Sequence, residues 1–119
     1  MFNGENLMTV RRGAALFKHA VQGMANAGKE ALKQAGLASA DMDWWIPHQA
    51  NTRIIQDAGA LLEIPSERTI NVVAQYGNSS AATIPIAIAD AQKRFRQGDK
   101  ILMTAAGAGL VTAAAVVRW

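Results

Sequence analysis

The sequence predicts an α/β fold, and three features of its patterning carry that prediction. Segments of helical periodicity alternate with short β-branched or aromatic segments. The last two apolar segments are joined by small residues, Ala106-Gly107-Ala108-Gly109, as a hairpin would be. Half of the 119 residues are apolar and 18% are charged, which suits one domain with one core and excludes intrinsic disorder.

Residues 1–9 read as a loop or frayed terminus, and residues 10–119 as the domain. From Val10 to Ala35 the pattern is helical, with Phe17, Val21, Met24, Ala31 and Leu32 close to one face. Gly36 is placed to end this helix, and Gly23 and Gly28 weaken its middle enough to admit a kink. After a turn at Asp41–Asp43, Trp44-Trp45-Ile46 reads as a short buried strand stopped by Pro47. A second helix is expected from Asn51 to Leu62, and Pro65-Ser66 breaks the chain. Ile70–Ala74 is β-branched and reads as a strand, followed by a loop at Gln75–Asn78. A third helix is expected over Ser80–Arg96, with Pro85 tolerated in its first turn. Gly98-Asp99 is a turn, and Ile101–Ala105 and Val111–Val117 are the closing strands.

Composition removes several function classes. There is no cysteine, so disulfides, thiolate metal sites and cysteine nucleophiles are absent from this chain. His19 and His48 are the only histidines, too few for a histidine-rich metal site. The net charge of +3 is mild, and Arg11-Arg12 and Lys93-Arg94 are the only adjacent basic pairs, so nucleic acid is not an expected partner. The start, MFNGENLMTV, lacks the pattern of a signal peptide. The longest apolar run, Ile101 to Val117, is interrupted by Gly107 and Gly109, so no membrane span is expected. A cytoplasmic protein is the expectation.

Three corners of the predicted fold hold residues able to do chemistry. His48 follows a strand and precedes a helix, where open α/β sheets place ligands; a histidine capping a helix or satisfied in a loop fits the same position. Asn78 occupies a similar corner in Gly77-Asn78-Ser79-Ser80, where a helix N-cap or a turn residue is the ordinary explanation. The third corner is Gly107, Ala108 and Gly109, either a plain hairpin or a loop small enough to bring a backbone N–H against a substrate oxygen.

The blocks WWIPHQANTRII, YGNSSAATIP and GAGLVTAAAVVRW, in this order and spacing, resemble the C-terminal part of the β-ketoacyl-acyl-carrier-protein synthase III family. The resemblance implies the C-terminal half of a thiolase-like fold. It begins after a strand expected at the centre of the sheet, so that strand would be missing here. It also implies a decarboxylative condensation of acyl-CoA with malonyl-acyl-carrier protein in fatty acid biosynthesis, by an enzyme that needs no cofactor. His48 and Asn78 match the residues that stabilise the enolate, and Ala108 matches an oxyanion position. Gly13, Ala50 and Asn51 match substrate-binding positions near the pantetheine arm. Lys18 and Arg53 match basic residues where the carrier protein docks. The nucleophilic cysteine belongs to the other half, so this chain alone is expected to be inactive, and the complete enzyme is expected to be a homodimer. Ala106 stands where a bulky aromatic is common, which leaves the acyl group open. A secondary-metabolite condensing enzyme of the same superfamily and a non-catalytic assembly fragment are the rival expectations.

Overall fold

The structure, a computed structural model, describes residues 13–119. The expectations for residues 1–12 lie outside it. Its elements are α1 (Gly13–Ala35), β1 (Trp44–Pro47), α2 (Thr52–Leu62), α3 (Val73–Tyr76), α4 (Thr83–Ala91), β2 (Lys100–Gly107) and β3 (Val111–Arg118), with short 3-10 turns between some of them. No helix among these residues is long and apolar enough to cross a membrane.

The sheet order is β1-β2-β3. β1 pairs parallel with β2, Trp44 opposite Ile101 and Pro47 opposite Thr104. β2 pairs antiparallel with β3, Lys100 opposite Arg118 and Gly107 opposite Val111. The expected gap at the centre is therefore not found: β2 is itself the middle strand, bonded on both edges, and its chain is present. Its apolar run is explained by burial on both faces. Trp45 and Leu102 face one layer, built by α1 and α2 with Met24, Ala25, Ile55, Ala58 and Leu62. Ile46 and Ile101 face the opposite layer, with Ala87, Ala91 and Phe95. The result is a three-layer α/β/α arrangement.

Helix α1 ends as the sequence predicts. Gly36 has φ of 68°, the Leu37 N–H reaches the Leu32 carbonyl and the Gly36 N–H reaches the Lys33 carbonyl. This is a Schellman cap, and glycine supplies its left-handed residue without a Cβ penalty. Helix α1 runs unbroken through Gly23 and Gly28. These glycines instead let the helix lie against its neighbours. A Cβ at Gly28 would sit 3.0 Å from Leu62 Cδ2 and 3.2 Å from Thr104 Cγ2, and one at Gly23 would sit 2.6 Å from Thr112 Cγ2.

The strand expected at Ile70–Ala74 is corrected. Only one parallel bridge forms beside β1, between Trp45 and Thr69, and the Ile70 N–H donates to the Trp45 carbonyl. Beyond that point the backbone partner is a side chain. Gln49, 1% exposed, donates through Nε2 to the Pro47 carbonyl at 2.7 Å and the Ile70 carbonyl at 3.0 Å. Its Oε1 accepts from the Val72 N–H at 2.8 Å. With those groups satisfied, the chain turns into α3. The expected third helix also divides, its α-helical part being α4 with 3-10 turns at Ser80–Ala82 and Gln92–Arg94. Pro85 is the third residue of α4, within the first turn, where its missing N–H costs nothing.

Replacing Gln49 with Leu leaves the Ile70 carbonyl and the Val72 N–H buried and unpaired. Each such group costs about 1–3 kcal/mol, so Gln49→Leu is expected to lower stability by about 2–6 kcal/mol. Urea unfolding followed by the fluorescence of buried Trp45 measures this, and an unchanged midpoint would show that the amide bonds are dispensable.

Candidate active site

The parallel pairing of β1 and β2 sets the C-terminal ends of both strands at one edge of the sheet. His48 leaves β1 there, and its N–H continues the ladder by donating to the Thr104 carbonyl at 2.7 Å. Its Nδ1 lies 2.5 Å from Thr83 Oγ1, at the first residue of α4. The imidazole is half-buried, and burial holds its pKa below the ordinary 6.5 because the cation is poorly solvated there. Burial thus favours the neutral ring.

Asn78 reaches the same edge from α3. Its Oδ1 accepts from the Ser80 N–H at 3.0 Å, an Asx turn that starts the approach to α4. Asn78 is thus a turn residue and not a helix cap, since the 3-10 turn and α4 that follow have Ser79 and Ala82 at their cap positions without a side-chain bond, and the turn occupies only the amide oxygen. Nδ2 has no hydrogen-bond partner among the described residues. Asn51 behaves similarly: it caps α2, with Oδ1 accepting from the Ile54 N–H at 2.8 Å. Capping of α2 thus falls to Asn51, and His48 is free of it.

These side chains surround two adjoining open cavities. One, of about 370 Å³, is lined by Gly13, His48, Ala50, Asn51, Asn78, Gly107 and Ala108, with apolar walls that include Phe17, Met24 and Leu110. The other, of about 500 Å³, shares His48, Asn78, Ala106, Gly107 and Ala108 and extends to Thr83 and Val111. The candidates thus converge, with one correction: Gly109 lines neither cavity. It sits in the turn after β2 at φ of 119°, a value that suits glycine. Lys18 and Arg53 are exposed, and the Arg53 guanidinium lies 5.5 Å from the ring centroid of the cavity residue Phe17. Among the described residues, no charged side chain lines either cavity. No group of three or more His, Cys, Asp or Glu residues able to hold a metal occurs among the described residues.

Two functional contacts escape the sequence reading. Thr83 looks like an ordinary helix residue, and its position five residues after Asn78 is the only hint that it could meet His48. Gln49 sits beside His48 in the motif, but nothing local announces that its amide will bond a segment more than twenty residues away.

Comparison with known proteins places this arrangement. Residues 32–119 match the family described as 3-oxoacyl-[acyl-carrier-protein (ACP)] synthase III C terminal. A 3-oxopimeloyl-[acyl-carrier-protein] synthase from Rhodothermus marinus is 53% identical over 116 residues, 98% of this chain and 34% of that protein. A β-ketoacyl-[acyl-carrier-protein] synthase III from a Roseiflexus species is 49% identical over 90% of this chain and 33% of its own length. The crystal structure of 3-oxoacyl-[acyl-carrier-protein] synthase III from Aquifex aeolicus superposes with a TM-score of 0.89 at 43% identity, over 92% of this chain and 36% of that one. The chain spans about a third of the length of these relatives. The fold is that of the C-terminal half of a thiolase-like condensing enzyme, and the chain belongs to the 3-oxoacyl-[acyl-carrier-protein] synthase III C-terminal family.

Proposed function

We propose that this chain supplies the enolate-stabilising half of a 3-oxoacyl-acyl-carrier-protein synthase III, which condenses acyl-CoA with malonyl-acyl-carrier protein. The observation that carries the reading is that His48, Asn78 and the Ala106–Ala108 loop line the same two cavities. Malonyl thioester loses its carboxylate as carbon dioxide, and the electron pair of the broken C–C bond passes into the enolate. His48 and Asn78 donate to the oxygen that gains this charge. The carbanion attacks the carbonyl carbon of an acyl-cysteine, and the cysteine thiolate leaves. That cysteine comes from outside this chain, which has none, so the chain by itself forms no acyl-enzyme. The Ala108 N–H serves the oxyanion of acyl transfer, and Gly13, Ala50 and Asn51 border the pantetheine arm. Lys18 and exposed Arg53 receive the acidic carrier protein. No cofactor takes part, and the reaction belongs to the cytoplasm.

A second reading concerns the acyl donor. The 53% identity to a 3-oxopimeloyl synthase favours a five-carbon donor with a terminal carboxylate, since condensation adds two carbons to reach the seven of a pimeloyl chain. In the complete enzyme, His48→Ala is expected to lower malonyl decarboxylation about 100- to 1000-fold, with Asn78→Ala acting in the same direction. Acyl transfer to the cysteine should be largely spared in both. Decarboxylation at the normal rate would remove the assigned role, and a preference for glutaryl-CoA over acetyl-CoA would identify the second reading.

The protonation state follows from burial. Because folding lowers the pKa of His48, the unfolded chain binds the proton more tightly. Stability is therefore expected to fall as the pH drops below 6.5, and to stop falling on this account once the folded ring is protonated. An NMR titration should place the His48 midpoint below 6.5; a midpoint above it would mean that a nearby charge outweighs burial.

Assembly completes the reading. Val111 is 66% exposed, and β3 is paired on one edge only among the described residues. An unpaired edge with exposed apolar residues favours association. The complete enzyme is a homodimer on this reading, and the isolated chain self-associates at tens of micromolar. Sedimentation of a stable monomer at that concentration would count against it.

A further inference from the structure

We infer that Thr83 is a positioning residue, donating its hydroxyl hydrogen to His48 Nδ1 and thereby committing the imidazole proton to Nε2. Thr83 is 2% exposed, so water does not satisfy its hydroxyl. The hydroxyl has one hydrogen to place, and among the described residues its single partner is His48 Nδ1. Were Nδ1 protonated, it would donate to Thr83 Oγ1 and leave the hydroxyl hydrogen buried without an acceptor. A buried unpaired donor is costly. With the hydroxyl as donor, Nδ1 is the acceptor, and a neutral imidazole then carries its hydrogen on Nε2. Nε2 has no partner among the described residues, and His48 lines both cavities.

The arrangement also explains the placement of α4. The helix starts at Thr83, and its N-terminal 3-10 turn follows directly from the Asn78–Ser80 contact. One short segment therefore brings Asn78 to the cavity and fixes the histidine that shares it. The bearing of the tautomer on catalysis rests on the enolate reading above; the tautomer itself does not.

The direct test is nitrogen-15 NMR of the histidine rings in this chain and in its Thr83→Val and Thr83→Ser variants. In the unaltered chain, His48 Nδ1 should resonate as an unprotonated nitrogen and Nε2 as a protonated one. Thr83→Val should raise the Nδ1-protonated population severalfold, and Thr83→Ser should restore the original distribution. A dominant Nδ1–H form in the unaltered chain, or a distribution unmoved by Thr83→Val, overturns the inference. In the complete enzyme, Thr83→Val should slow malonyl decarboxylation by roughly 10- to 100-fold, the range for partners that fix a histidine tautomer in metal sites, with Thr83→Ser near normal. If the spectra behave as expected while decarboxylation is unaffected in both Thr83→Val and His48→Ala, Thr83 still sets the tautomer and it is the enolate reading that fails.

Discussion

The carboxamide of Gln49 is the contact on which the rest of the site depends. β1 is four residues long, too short to hold a corner by its own ladder. Gln49 donates one amide hydrogen to the end of that strand at the Pro47 carbonyl, donates the other to the Ile70 carbonyl, and accepts from the Val72 N–H through its amide oxygen. That segment leads within a few residues to Asn78. One buried side chain thereby ties the chain that leaves β1 with His48 to the chain that arrives with Asn78. Three hydrogen bonds of this kind contribute only about 1 kcal/mol each when made. Their weight lies in the backbone groups that would otherwise be orphaned, so no apolar residue of similar size can take the place of Gln49.

The second constraint is burial of β2 on both faces and both edges. With helices above and below and strands on either side, only the ends of the sheet are open to a ligand. β1 and β2 run parallel, so the end where His48 departs is also the end where Ala106 and Gly107 finish β2. Helix α1 then closes one side of this opening. Its glycines permit the approach: at Gly23 and Gly28 there is no room for a side chain beside Thr112, Leu62 and Thr104. Phe17 and Met24, on the same helix, become cavity wall.

How much of this is legible in the sequence depends on whether a segment's partner is local. Helix α1 and its Schellman cap at Gly36, strand β1 and its stop near Pro47, helix α2 and the closing hairpin all follow from local pattern and turn chemistry. Ile70–Ala74 does not, because β-branched residues look alike whether their backbone is met by a strand or by a glutamine. The glycines of α1 mislead for a related reason: a weak point and a close crossing differ only in what lies opposite, here methyl groups far along the chain. At the site, His48 and Asn78 stand out as polar residues at strand-to-helix corners. Thr83 does not, since a buried threonine in a helix has no signature until its neighbour is known.

The polar groups at this opening share one property that bears on their chemistry. Asn51 and Asn78 have each committed the side-chain oxygen to a backbone N–H of the helix or turn that follows. What remains on each is a pair of amide hydrogens. His48, its neutral ring favoured by burial and held at Nδ1 by Thr83, adds one more. Among the described residues, no carboxylate, ammonium or guanidinium lines either cavity. If the proposed condensation holds, a fixed cation would attract the malonyl carboxylate as strongly as any later charge, and binding the ground state and transition state alike does not accelerate a reaction. Neutral donors against apolar walls interact weakly with a thioester carbonyl and more strongly as negative charge collects on its oxygen. The same partial burial that depresses the histidine pKa strengthens that response. The cap made by Asn51 and the turn made by Asn78, contacts with purely structural reasons, therefore leave both amides presenting donors, which is the polarity the proposed enolate would require.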